Sequence, residues 1–548
     1  MQSNEERQAE ALAQGFLRGE LSRREFFRRA GGFSVFAIGA TSLGAVLTAC
    51  SSNGGSTTPS GSPGGAVGVL KPGGTLKAAL TGGPDTLDPA TSTIYTGAQV
   101  YDNIFNKLID LDPDGTFYGQ LATAWDSSDD TTWVFDLVDN AVFHNGEAFT
   151  PDDVKYTFER ILDPKTASSY APLYDAIDSV EVTGDTQVTF HLKTAFGPFL
   201  SNIANNGEIV NQKAIESADP ARNPVGTGPF QFVEWVQDDY VTLKKWDQYF
   251  QSGLPYLDGV EFRFLNVDQS RIDGLRSGEL NWVDAVPLQD LDTLKTDPSF
   301  NYVTAPNAGI PDYLALNTQQ PPFDDKLVRQ AVYWALDRDA IRQVAYFGAG
   351  ETGIEEVPTG SVWYDGAPIV TPDIAKATDL LAQAGHGDGL TVEYLGLPQY
   401  PELLKTGEVV REQLKQIGIT MNIKQVDVSV WFNDFVKGNY QITSAYQERT
   451  IDPDNFYALV VRTGGDINTT GYSNPQVDQL IDQARTSTDD AARKNLYQQV
   501  RQIVFDEAPI IFAHYETINY LMQKDVAGAS VNPTLELRLQ NVGFISQP

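Results

Sequence analysis

Four histidines (His144, His191, His386 and His514) and a single cysteine, Cys50, are the chain's whole supply of imidazole bases and soft metal ligands. No two of the histidines stand at metal-ligand spacing, and one cysteine forms neither an internal disulfide nor a CxxC redox pair. Asp110-Leu111-Asp112-Pro113-Asp114-Gly115 supplies the first, third and fifth oxygens and the turn glycine of a calcium loop. Its twelfth position, where a bidentate glutamate belongs, is Leu121, so a solvated acidic turn is expected instead. Gly226-Thr227-Gly228-Pro229-Phe230 begins like a dinucleotide loop but lacks the third glycine, and reads as a tight turn. Gly528-Ala529-Ser530-Val531-Asn532 falls one residue short of a nucleophile elbow. There is no phosphate-binding loop and no HExxH, and no spacing among the 72 acids singles out a carboxylate pair. No catalytic motif is written among these residues, and no cofactor or metal is expected.

The 548 residues exceed one domain's usual length of roughly 100–200 several times over. A hydrophobic share of 41% can fill large cores, and a net charge of −33 repels phosphate backbones, which argues against nucleic acid as a partner. Alternation places Trp133, Phe135 and Leu137 on one face of a strand. Thr150 caps a helix with Pro151 at its first position and an apolar stripe of Val154, Phe158, Ile161 and Leu162. Val180 and Val182 pair with Val188, Phe190 and Leu192 across the Gly184-Asp185 turn. After about residue 310 the rhythm becomes α/β, with helices over Val328–Ala335, Asp373–Gly385 and Glu402–Ile417, a strand through Ile419, Met421 and Ile423, and two late helices at Gln476–Arg485 and Ala491–Phe505.

The first fifty residues read as an address. Arg23 and Arg24 precede a modest apolar run, which ends at Leu47-Thr48-Ala49-Cys50. This resembles a twin-arginine export signal closed by a lipobox, with Cys50 acylated after cleavage. A short uncleaved membrane helix is the alternative, but a run this short and polar makes a poor permanent span. Residues 50–70 are rich in Gly, Ser, Thr and Pro and form a tether. An extracytoplasmic protein, held by lipid to the outer face of the cytoplasmic membrane, is the expected product.

Several blocks in the body carry a family resemblance. They are Asp85-Thr86-Leu87-Asp88-Pro89, Val100–Asn106 leading to Leu121-Ala122-Thr123-Ala124-Trp125, and Phe143-His144-Asn145-Gly146 followed by Thr150–Phe158. Asn223–Phe230, Pro322–Ala331 and Asp452-Pro453-Asp454-Asn455-Phe456 complete the order. Together they resemble the extracytoplasmic solute-binding proteins of ABC importers, in the peptide/nickel-binding family (family 5). The resemblance implies an α/β fold with α+β parts: a two-lobed, hinged periplasmic-binding-protein fold, type II, in its large three-domain variant. Lobe I would combine residues 71–101, 225–305 and 524–548, with domain II (102–224) inserted and lobe III running over 306–523. A monomer would close on a small solute or peptide and deliver it to permease subunits in the membrane. A solute-sensing receptor adaptor, and an exported hydrolase with a carboxylate pair in the cleft, are the alternatives.

The resemblance also implies ligand contacts at Thr93, Tyr95, Trp363, Trp431, Tyr446, Gln447 and Arg449. In peptide-binding relatives an acid stands where Arg449 does and holds the ligand's amino terminus. Arginine repels an ammonium and pairs with carboxylate or phosphate. An acidic, N-blocked or sugar-like ligand is therefore expected at least as much as a free-ended dipeptide, unless Arg449 pairs with Glu448 or Asp452 and touches no ligand.

Overall fold

The computed structural model describes residues 69–545, with Thr93, Ser169 and Arg449 excepted. The export signal with Arg23 and Arg24, the lipobox Cys50, the tether, Thr93 and Arg449 thus lie outside the described residues. Among those described, no helix is long and apolar enough to cross a membrane.

The framework is one large mixed sheet shared by two lobes. Its strands run in the order Ile419–Gln425, Leu390–Gly396, Ile442–Tyr446, Phe300–Leu316, Ile510–Gln523, Trp282–Val283, Thr75–Leu80, Gly259–Phe264, Tyr240–Lys245 and Phe230–Val236. Phe300–Leu316 and Ile510–Gln523 are long enough to belong to both lobes, and they pair antiparallel from Phe300↔Gln523 to Ala315↔Ile510. The pairing register jumps between Thr304 and Gly309, a bulge that bends and twists the ladder midway.

Each lobe has its own core. Lobe I packs Leu76, Tyr101, Phe230, Val260 and Trp282 against Leu535, Leu537 and Leu539 from the C-terminal tail. Ile518, Tyr520 and Met522 already belong to this core, so the chain passes from lobe III to lobe I within the strand Ile510–Gln523, before the expected boundary at 523/524. Lobe III has two clusters, one around Trp431, Phe456 and Tyr497 and one around Val332, Tyr394 and Leu414. The inserted part has a four-stranded antiparallel sheet in the order Ala122–Ser127, Thr132–Leu137, Gln187–Leu192, Ile177–Gly184, and a core around Phe135, Phe158 and Phe190.

Local expectations largely match these elements. Thr150 and Asp153 form the reciprocal cap of the helix Pro151–Leu162. The helix Pro401–Lys415 is followed by Gly418, in the left-handed conformation at φ +87°, and the strand Ile419–Gln425. Gly226 and Gly228 do make a close turn, because a Cβ at either would strike the Ile104 carbonyl.

One expectation fails. Asp112 and Asp114 are exposed turn residues, but Asp110 is fully buried. It meets Arg538 from the C-terminal tail, which also binds Glu536, while Glu536 receives the Lys107 ammonium. Burial pushes Asp110 up to about 6 against the pull of Arg538 and Lys107. For Lys107, burial pulls downward, but Asp110 and Glu536 outweigh it and leave the ammonium above its ordinary value. A calcium-like pattern has become one corner of a buried ion network that fastens the C-terminal segment to the two-stranded ladder of Ile109–Leu111 with Phe117–Gly119.

Arg538→Met should cost about 3–5 kcal/mol in urea unfolding, since Asp110 and Glu536 would be left buried without that cation. Gly228→Ala should cost about 1–3 kcal/mol by forcing the Ile104 backbone aside. An unchanged unfolding midpoint for either variant would contradict these packing assignments.

Candidate functional site

In open α/β sheets, ligands bind beyond the carboxyl ends of the parallel strands. Lobe I has three such strands, Thr75–Leu80, Gly259–Phe264 and Trp282–Val283. Lobe III has Leu390–Gly396, Ile419–Gln425 and Ile442–Tyr446. The crossing strands fix their relative direction. Trp282–Val283 runs antiparallel to Ile510–Gln523, and Ile442–Tyr446 antiparallel to Phe300–Leu316. The two sets of carboxyl ends therefore point at each other across the gap between the lobes.

The floor of the gap is the middle of the crossing strands. Ile310 packs on both the lobe I and the lobe III cores, and Glu516 is its cross-strand partner. Glu516 is partly buried, and burial pushes it up to about 8, reinforced by Asp312, Glu402 and Glu448. Glu402, in the first turn of Pro401–Lys415, is likewise raised by burial and then by Asp312 and by Asp268 of lobe I. Asp312 is held by the His514 ring at 3.0 Å, and that ring stacks on Tyr346 at 3.6 Å. The described part of the gap is thus lined with carboxyl groups, a point on which the motif reading, focused on Arg449, was silent. A glutamate inside the apolar run of Ile510–Gln523 was the available signal.

Lobe III brings Tyr446 and Gln447 to this place together. Tyr446 ends its strand opposite Asp312, with the Tyr400 ring 5.9 Å away. Gln447 is the next residue. Its backbone N–H donates to the Pro311 carbonyl at 3.3 Å, yet both polar atoms of its side chain are buried without a hydrogen-bond partner. From lobe I, Tyr95 opens the helix Tyr95–Tyr101 and packs against the core at Tyr520.

The two tryptophans lie elsewhere. Trp431 is 1% exposed, stacks on Phe435 at 4.6 Å and donates its indole N–H to Thr443 Oγ1, so it packs in the lobe III core rather than facing the gap. Trp363 lies over the Arg493 guanidinium at 4.8 Å, beside the seam between lobe III and the inserted domain. In that seam Arg493 binds Asp452 at 2.7 Å, Ser201 Oγ donates to Asp452 at 3.3 Å, and the Gly197 N–H donates to the Arg485 carbonyl at 2.8 Å. Asp452 therefore has its own buried cation, and that cation is Arg493.

The family model for bacterial extracellular solute-binding proteins, family 5 (middle region), matches residues 116–468. The glutathione-binding protein GsiB of Pectobacterium atrosepticum is 28% identical over 468 residues, covering 82% of this chain and 90% of that protein. GsiB of Salmonella typhimurium is 26% identical over 473 residues, with 82% and 90% covered. Among solved structures, the substrate-binding protein CtaP of Listeria monocytogenes superposes with a TM-score of 0.79 at 26% identity, over 86% of this chain and all of the other (100%). AgaA of Agrobacterium tumefaciens R10, solved with agropinic acid, gives 0.73 at 28% identity over 87% and 99%. DppA of Helicobacter pylori, solved with the peptide STSA, gives 0.74 at 25% identity over 87% and 99%. With two lobes, crossing strands and opposed strand ends, and the matched segment spanning most of its length, the chain belongs to the bacterial extracellular solute-binding proteins of family 5.

Proposed function

We propose that the chain is the lipid-anchored capture subunit of an ABC importer and that its solute is a small peptide-like zwitterion. The observation that carries this reading is Gln447, 1% exposed and with neither its amide nitrogen nor its amide oxygen satisfied. A buried amide in that state costs about 1–3 kcal/mol, and it is complementary to the donor and acceptor of a peptide group. Tyr446 and Tyr95 would offer flat apolar faces to the solute, and Arg449 would take its carboxylate. Relatives named for glutathione and for the peptide STSA agree with this ligand class. Agropinic acid in AgaA keeps an acidic sugar conjugate as the second reading, the one the arginine by itself favours.

Ligand would favour the closed arrangement only by its extra affinity for it, so the lobes act as a population switch. Closure would present the joined surface to the permease, and the solute would leave unchanged, without hydrolysis. Export by the twin-arginine route and acylation of Cys50 would place this cycle at the outer face of the membrane.

Mass spectrometry of small molecules released on denaturing the purified protein should find di- or tripeptides or glutathione-like compounds. Recovery of only sugar conjugates would move the assignment to the second reading. Gln447→Leu should raise the ligand-free unfolding midpoint, since an unsatisfied amide is removed, and weaken binding of the recovered solute about tenfold. A variant that binds as tightly as wild type would remove Gln447 from the site. Cys50→Ser should move the protein from the membrane fraction to the soluble extracytoplasmic fraction.

A further inference from the structure

Gln447 has a counterpart on the opposite wall. Each is the first residue beyond the carboxyl end of a parallel strand, and each holds a buried polar atom with no partner. The counterpart is Asp284. Val283 pairs with Leu521 and Ala79, and Ala285 bridges Asn519, so Asp284 stands between those pairings, beside Tyr520. Alternation places it on the face that carries Trp282 and Tyr520, the face toward Tyr95. It is 6% exposed, and its Oδ1 is without a hydrogen-bond partner.

The nearest cation does not fill that vacancy. Arg271 donates to Asp268 at 2.7 Å, to the Leu265 carbonyl at 2.8 Å and to the Ala285 carbonyl at 3.2 Å, and reaches Asp284 only through space. Burial pushes Asp284 up to about 7, opposed by Arg271 and by the N–H groups of Asp284 and Ala285. The other titratable group facing it is the Tyr520 phenol, which Tyr95 touches in turn.

We propose that Asp284 is a ligand-recognising residue of lobe I that receives a cationic donor, the primary ammonium of the solute, when the lobes close. The proposal rests on the solute-capture reading above and adds the polarity of the bound solute. An ionised carboxylate only accepts hydrogen bonds, and a neutral donor would leave its charge buried and uncompensated. An ammonium supplies donor and charge together.

The test is competitive capture. Full-chain wild type and Asp284→Asn are each incubated at pH 7.5 with an equimolar mixture of Ala-Ala, Ala-Ala-Ala and glutathione and their N-acetylated forms, and the bound fraction is weighed by mass spectrometry. Wild type should prefer free-amine forms about tenfold, and Asp284→Asn should lose that preference while still capturing peptides. A preference retained by the variant, or absent in wild type that captures both forms, overturns the role of Asp284 and leaves capture intact. Capture of no probe by wild type overturns the peptide reading and this proposal with it.

Folding integrity is read independently from the pH profile of ligand-free stability. An acid whose folded value is raised holds its proton longer in the native state, so stability falls as pH climbs from about 4 to about 7. Asp284→Asn should fall less than wild type over that window. Equal slopes would show that Asp284 titrates as in the unfolded chain and would also overturn the proposal.

Discussion

Everything about the gap follows from two strands that cannot choose sides. Phe300–Leu316 and Ile510–Gln523 are each continuous through both lobes, and their mutual hydrogen bonding forces the lobes to share one ladder. Because every neighbouring strand takes its direction from that ladder, the carboxyl ends of both parallel sets must converge on its midpoint. The bulge between Thr304 and Gly309 falls at the same level, where ladder bonds are fewest. A place where the sheet bends and where strand ends converge is also where polar side chains can be left waiting for a partner.

That waiting has an energetic logic. Gln447 and Asp284 each withhold hydrogen-bonding capacity that a protein optimised for stability would satisfy internally. Asp452, by contrast, has Arg493, and Arg501 binds Glu356 and Asp365. The floor adds a gradient, because Glu516 is raised by burial and by three neighbouring acids while lying between the lobes.

Much of the framework was legible from the chain alone. Capping residues, Gly418 and apolar periodicity located the helices of lobe III within a few residues, and six ordered blocks carried the family. Individual site residues were less legible. Trp431 and Gln447 were singled out by the same resemblance, and both are 1% exposed, yet Trp431 is satisfied by Thr443 while the Gln447 amide is not, a difference no local pattern could show. Asp110 looked like a solvated turn because its partner Arg538 lies at the far end of the sequence, where no local pattern could reveal it. Glu516 and Asp284 acquire meaning only when strands distant in sequence are laid side by side.

The ion network of Lys107, Asp110, Glu536 and Arg538 also imposes an order of events on synthesis. Lobe I is assembled from the first and the last described segments of the chain, and Leu535, Leu537 and Leu539 complete a core begun at Leu76. While the ribosome is still making lobe III, Leu76 and its neighbours have no tail to pack against, and Asp110 has no Arg538. Domains that fold as units as they emerge can complete the inserted sheet early, but lobe I must wait until Leu535, Leu537 and Leu539 have been made.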